Sequence, residues 1–126
     1  MLTLADTDAS IDTITSFVML LAIIQAGYTA FPISTRNSAP AVVHLLTRTE
    51  TVHLIVGPED TFQRLAGGAF EFMRERGQTV PHTQTMPLFQ DIFWDEHDFK
   101  LLPTFETSIY DVALYLHSSG TCSVMP

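Results

Sequence analysis

A chain of 126 residues, 46% hydrophobic and 16% charged, suffices for one modest domain with a real core. Its charged fraction lies below the usual quarter, so part of its surface is expected to be covered by something else. The formal net charge of −8 argues against binding a nucleic-acid backbone or an anionic membrane, both of which call for a basic face. A small nucleotide is not excluded, because backbone donors in one loop can hold phosphate inside a net-acidic protein. The single cysteine, Cys122, allows no internal disulfide and reads as an incidental thiol rather than a nucleophile.

Leu2-Thr3-Leu4-Ala5 predicts the last part of a strand, an abrupt opening that would suit a chain missing its beginning. Asp6, Asp8, Ser10 and Asp12 then offer helix caps and first-turn acids,. A helix is expected from about Ser10 to Ala26, with Ile11, Ile14, Val18 and Leu21 at helical spacing and Gly27 as its C-cap,. From Phe17 onward it is apolar nearly all round, which predicts burial on several sides,. The run is too short for a bilayer span, which takes about 20 apolar residues. Its acidic approach is wrong for a signal peptide, so a cytoplasmic location is expected.

Tyr28-Thr29-Ala30-Phe31-Pro32-Ile33 reads as a second strand, with Pro32 at its end or at a sheet edge for want of an N–H,. Asn37 or Ser38 is expected to cap a helix that tolerates Pro40 in its first turn, turns Val42, Leu45 and Leu46 to one side and ends near Thr49,. Val52-His53-Leu54-Ile55-Val56 predicts a third strand. Phe62, Leu65, Ala66, Ala69, Phe70 and Met73 predict a third amphipathic helix, stopped at Gly77,. Gly67 and Gly68 weaken it by about 1 kcal/mol each relative to alanine, and mark either a break or a close packing contact.

Residues 78–108 are punctuated by Pro81, Pro87 and Pro103 and predict little beyond a short helix or hydrophobic anchor at Phe89, Ile92, Phe93 and Trp94. Asp91, Asp95, Glu96 and Asp98 surround His97 without metal-ligand spacing, so they read as a solvated loop,. A last strand is expected from near Asp111 to Leu116. Alternating strands and helices imply an α/β fold, a mostly parallel sheet flanked by helices. The apolar runs Val52–Val56 and Val112–Leu116 have the character of strands buried on both faces,.

The last run leads straight into His117-Ser118-Ser119-Gly120-Thr121. Such sheets bind ligands at the carboxyl ends of their strands. A glycine there lets backbone come close to a phosphate, and hydroxyls and N–H groups donate to it. A plain Ser/Gly turn is the other reading of the same residues. For His117, a satisfied strand-end histidine stands beside a contact to substrate or loop. His44 and His53 read as helix-surface and strand histidines, Arg36 as a surface loop arginine, and no serine–histidine–acid set can be singled out,.

Leu116-His117-Ser118-Ser119-Gly120-Thr121 resembles the phosphate loop of adenylate-forming (AMP-binding) enzymes, and looks most like the fungal nonribosomal-peptide-synthetase-like and aminoadipate-reductase-like branch. The segment Ala26 to Ser38, followed by Val42-Val43-His44-Leu45-Leu46, resembles an upstream block of the same group, in the same order and at a similar separation. The resemblance implies that residues 1–126 are a partial N-terminal adenylation domain ending within the phosphate loop. It implies that Ser118, Ser119, Gly120 and Thr121, with His117 beside them, cradle the β- and γ-phosphates of ATP, with Mg²⁺ present. The parent activity would join a carboxylic or amino acid to AMP, with a phosphopantetheine carrier protein or coenzyme A as acceptor. The family's second glycine, its proline and its lysine would fall at Ser123, Met125 and Pro126. That departure looks like a shifted frame, a mis-joined exon or genuine divergence, and implies that this chain alone is inactive, with the substrate pocket and catalytic lysine beyond Pro126. The competing expectation is a non-catalytic α/β interaction module that packs its first helix on a partner.

Overall fold

A computed structural model describes residues 2–4, 13–94, 100, 101, 103 and 105–117. Among them, strands β1 (Leu2–Leu4), β2 (Pro32–Ile33), β3 (His53–Val56) and β4 (His82–Thr85) alternate with helices α1 (Thr13–Gln25), α2 (Ala39–Arg48), α3 (Asp60–Glu75) and α4 (Phe89–Phe93). The four strands form one parallel sheet in the order β2-β1-β3-β4. Parallel neighbours need a crossover between them, and the intervening helices supply it. The fold is therefore α/β, as the alternation predicts.

Local chemistry accounts for the helix limits. Ser38 caps α2, its Oγ accepting from the Ala41 N–H at 3.4 Å, and Pro40 sits in the first turn, where a missing N–H costs nothing,. At the end of α1 the Tyr28 N–H donates to the Ile23 carbonyl at 3.1 Å. Gly27 takes φ +80° between them, the left-handed step this closure requires,. Gly77 does the same for α3 at φ +66°, with the Gln78 N–H on the Met73 carbonyl at 2.9 Å. α3 is unbroken through Gly67 and Gly68. A Cβ on Gly68 would lie 3.4 Å from that of Ala39, so this glycine marks the close approach of α2 and α3.

The core gathers where these elements meet. Leu54, Ile55 and Val56 of β3, Val42, Val43 and Leu46 of α2, and Phe62, Ala66, Ala69 and Met73 of α3 are all buried, joined by Ile33, Phe31, Ile23 and Met86. Each large side chain taken from water contributes about 1.5–3 kcal/mol. The buried α3 positions follow the predicted helical period.

Four expectations need correction. α1 is not buried on several sides: Thr15 and Ile23 are its buried residues, while Ile14, Phe17 and Leu21 are exposed. Its remaining contacts to the core, through Met19, Leu20 and Ile24, come from one side. An all-apolar helix signals available cover, and among the described residues nothing covers its outer face. The second strand is shorter than predicted, only Pro32–Ile33, with Ala30 in a separate bridge. The third is buried from Leu54 only, since Val52 is exposed. The expected final strand is a single bridge at Leu114, with Val112, Leu114, Tyr115 and Leu116 exposed. β4 was not predicted: its sequence, His-Thr-Gln-Thr, has no apolar face and all four residues are exposed, so backbone pairing to β3 alone defines it. Residues 5–12 and 95–99, including the first-turn acids of the predicted first helix and the His97 group, lie outside the described residues.

Candidate functional site

The segment that leads towards the predicted phosphate loop is held on the outer side of β2. It starts from a turn in which the Ser108 N–H donates to Asp111 Oδ2 at 2.7 Å and the Asp111 N–H to the Ser108 carbonyl at 3.0 Å. Three hydrogen bonds then tie it to the residues before β2. Thr29 Oγ1 donates to the Val112 carbonyl at 2.6 Å, the Ala30 N–H to the Ala113 carbonyl at 3.0 Å, and the Tyr115 N–H to the Ala30 carbonyl at 2.8 Å. The last two are one rung of a parallel ladder, Ala30 opposite Leu114.

The ladder stops there for a reason visible in the sequence. In this register the next donor to the segment would be the N–H of residue 32, and Pro32 has none,. Beyond the rung, rings take over. The buried Phe31 meets Tyr115 at 6.2 Å and His117 at 5.7 Å between ring centres, both nearly edge to face, a geometry that aromatic quadrupoles favour. Because the pairing is parallel, the segment advances in the same direction as the sheet strands. His117 is thus half-buried against Phe31. Ser118, Ser119, Gly120, Thr121 and Cys122 lie outside the described residues.

A cavity of about 430 Å³ opens between the end of α1 and this segment, lined in part by Gly27, Tyr28, Thr29, Phe105, Glu106 and Asp111. The volume is in the range of small-molecule pockets. The lining carries two acids and no basic residue, which disfavours an anion such as a phosphate. Phe105 closes one wall by packing on Gly27, where an added Cβ would come within 3.0 Å of the ring. Elsewhere, His44 is exposed on α2 and Arg36 is exposed in the β2–α2 loop, as predicted. No group of three or more His, Cys, Asp or Glu side chains suited to a metal occurs among the described residues. Among them, too, no helix is long and apolar enough to cross a membrane.

What reasoning from sequence missed is the anchor: Thr29, Ala30 and Phe31 hold the closing segment through one hydroxyl, one backbone rung and one ring. The hydroxyl and ring residues are unremarkable in a strand-like run, and only the pairing gives them this role.

The sequence can be set against known proteins. The chain is 35% identical over 118 residues to adenylate-forming reductase Nps10 of Heterobasidion annosum, covering 90% of this chain and 11% of that protein. The chain is similar to a segment of adenylate-forming reductases. Adenylate-forming reductase Nps11 of Serpula lacrymans is 34% identical over 121 residues, with the same coverage. A carboxylic acid reductase of Neurospora crassa is 33% identical over 104 residues, 82% of this chain and 9% of that protein. The chain thus spans about a tenth of the length of these relatives. No family model and no solved structure matches it.

Proposed function

We propose that this chain is part of the ATP-using domain of a carboxylate-adenylating enzyme, and that Ser118, Ser119, Gly120 and Thr121 form its contacts to the ATP phosphates. The observation that carries the reading is similarity over nine-tenths of the chain to proteins named adenylate-forming reductases. The strap from Val112 to His117, which runs parallel to the sheet and leads into those residues, supports it. In the reaction, a carboxylate oxygen of a carboxylic or amino acid attacks the α-phosphorus of ATP. An acyl-AMP forms and the bond to pyrophosphate breaks. Hydroxyls of Ser118, Ser119 and Thr121 and amides around Gly120 would offset the charge that grows on the departing pyrophosphate. Mg²⁺, when bound, would neutralise further phosphate charge. A carrier protein or coenzyme A would accept the acyl group in the parent enzyme.

Where related loops carry glycine, proline and lysine, this chain has Ser123, Met125 and Pro126. Losing the lysine removes a cation from a site that binds a polyanion. The chain by itself is therefore expected to bind ATP weakly and to leave carboxylate-dependent pyrophosphate exchange at background. Titration calorimetry with ATP and Mg²⁺ tests the reading: weak binding that vanishes in Gly120→Val supports it. Binding that survives the substitution, or none at all, overturns the assignment of the loop, and exchange above background overturns inactivity.

A second reading, a non-catalytic interaction module, draws on the exposed Ile14, Phe17 and Leu21 of α1. A concentration-dependent oligomer in sedimentation, with no ATP binding, would favour it.

A further inference from the structure

At the amino-terminal end of the sheet, opposite to where the strap leads, two imidazoles stand side by side. His53 opens β3 and His82 opens β4, and the two are direct partners in the parallel register. Partnered residues on neighbouring strands project to the same face. Their ring centres are 5.6 Å apart with planes at 73°. Tyr28 also meets His53, with ring centres 6.1 Å apart. His53 is half-buried and His82 is exposed. Among the described residues no hydrogen bond or ion pair engages either imidazole. Both rings therefore have nitrogens open to another partner, and one of them faces solvent.

We propose that His53 and His82 form a two-imidazole site for a divalent transition-metal ion of the zinc, nickel or copper class. Imidazole is the preferred ligand of these ions among neutral side chains. Metal–nitrogen bonds are about 2.0–2.1 Å, so two imidazoles on one tetrahedral ion place their ring centres about 5 Å apart. The observed separation of 5.6 Å is close to that spacing. The backbone has already brought the two Cα positions together, so the ordering cost that opposes chelation by flexible side chains is largely met by the sheet. Two protein ligands make a weaker and more exchangeable site than the four of a structural zinc centre, with solvent at the remaining positions. The bound ion would tie β4 to β3. All four β4 residues are exposed and the strand is bonded to the sheet on one side only, so the ion would add a second link to that edge.

The test uses the whole chain and the metal alone. Calorimetric titration with Zn²⁺ should show one site per chain, weakened at least about tenfold in His53→Ala and in His82→Ala, and unchanged in His44→Ala. Zn²⁺ should also raise the melting temperature of the wild-type chain, and not of His82→Ala, since binding the folded state alone stabilises it. Acidification should release the ion, because only neutral imidazole coordinates. Should either alanine variant fail to fold, trace Cu²⁺ added to the wild-type chain decides: paramagnetic broadening should reach the resonances of His53, His82 and Thr83 before those of His44. Absence of binding, equal loss in His44→Ala, or broadening that starts elsewhere would mean that the rings are merely packed, and would overturn the proposal. None of these readouts involves nucleotide, so they stand or fall separately from the adenylation reading.

Discussion

Leu54-Ile55-Val56 and Val112 to Leu116 are both apolar runs of strand type, and they end in opposite surroundings. The first lies in β3, between β1 and β4, with exposures of 0%, 4% and 1%. The second lies at the outer edge, held by one rung, with Leu116 at 76%. Hydrophobicity does not separate them. What separates them is the supply of neighbours. β3 has a strand on each side and the apolar faces of α2 and α3 within reach. The strap meets a single edge, and the residue that would continue the ladder is Pro32. A strand is stabilised by its partners as much as by its own composition, and a missing donor at one position is enough to end pairing.

The sharpest way to test that contrast is a matched pair of truncations. Leu54→Ala should cost about 2–5 kcal/mol, the usual range for a buried leucine, and lower the thermal midpoint by many degrees. Leu114→Ala should cost well under about 1 kcal/mol, as an exposed apolar residue does. Equal losses in denaturant titrations would show that the strap belongs to the core after all. Next in size is Gly27→Ala, expected to cost about 1–3 kcal/mol. The new Cβ must sit at φ +80° and 3.0 Å from the Phe105 ring, so α1 loses its closure and Phe105 loses its packing together. Proteolysis near Phe105 should report the second effect separately from the melt. The smallest effect in free energy is the most telling in mechanism. Pro32→Ala supplies the N–H that the Tyr115 carbonyl lacks, so hydrogen exchange should show a protected amide at residue 32 and slower exchange at His117. An unprotected amide there would mean that something other than the missing donor ends the ladder.

Much of the scaffold was legible residue by residue. The period of Phe62, Ala66, Ala69 and Met73 located the buried stripe of α3. Ser38 and Pro40 marked the start of α2, and Gly27 and Gly77 marked two helix ends, because those signals act over one or two turns of backbone. The first helix was misjudged because its apolar run says nothing about how many neighbours arrive to cover it. β4 was invisible because a polar edge strand is defined by hydrogen bonds to another strand and by no pattern of its own. At the candidate site, the sequence singled out His117 and the four residues after it from their chemistry, yet offered no hint that His117 rests against Phe31.

Local rules were thus sufficient for the helix limits at Ser38, Gly27 and Gly77 and for the α/β class, since each depends on residues close together along the chain. Only the tertiary structure could decide which apolar run becomes a central strand, that Pro32 halts the edge after one rung, and that His53 and His82 become neighbours. Those outcomes depend on which backbones meet across tens of residues, and register across a sheet is settled by the partner strand.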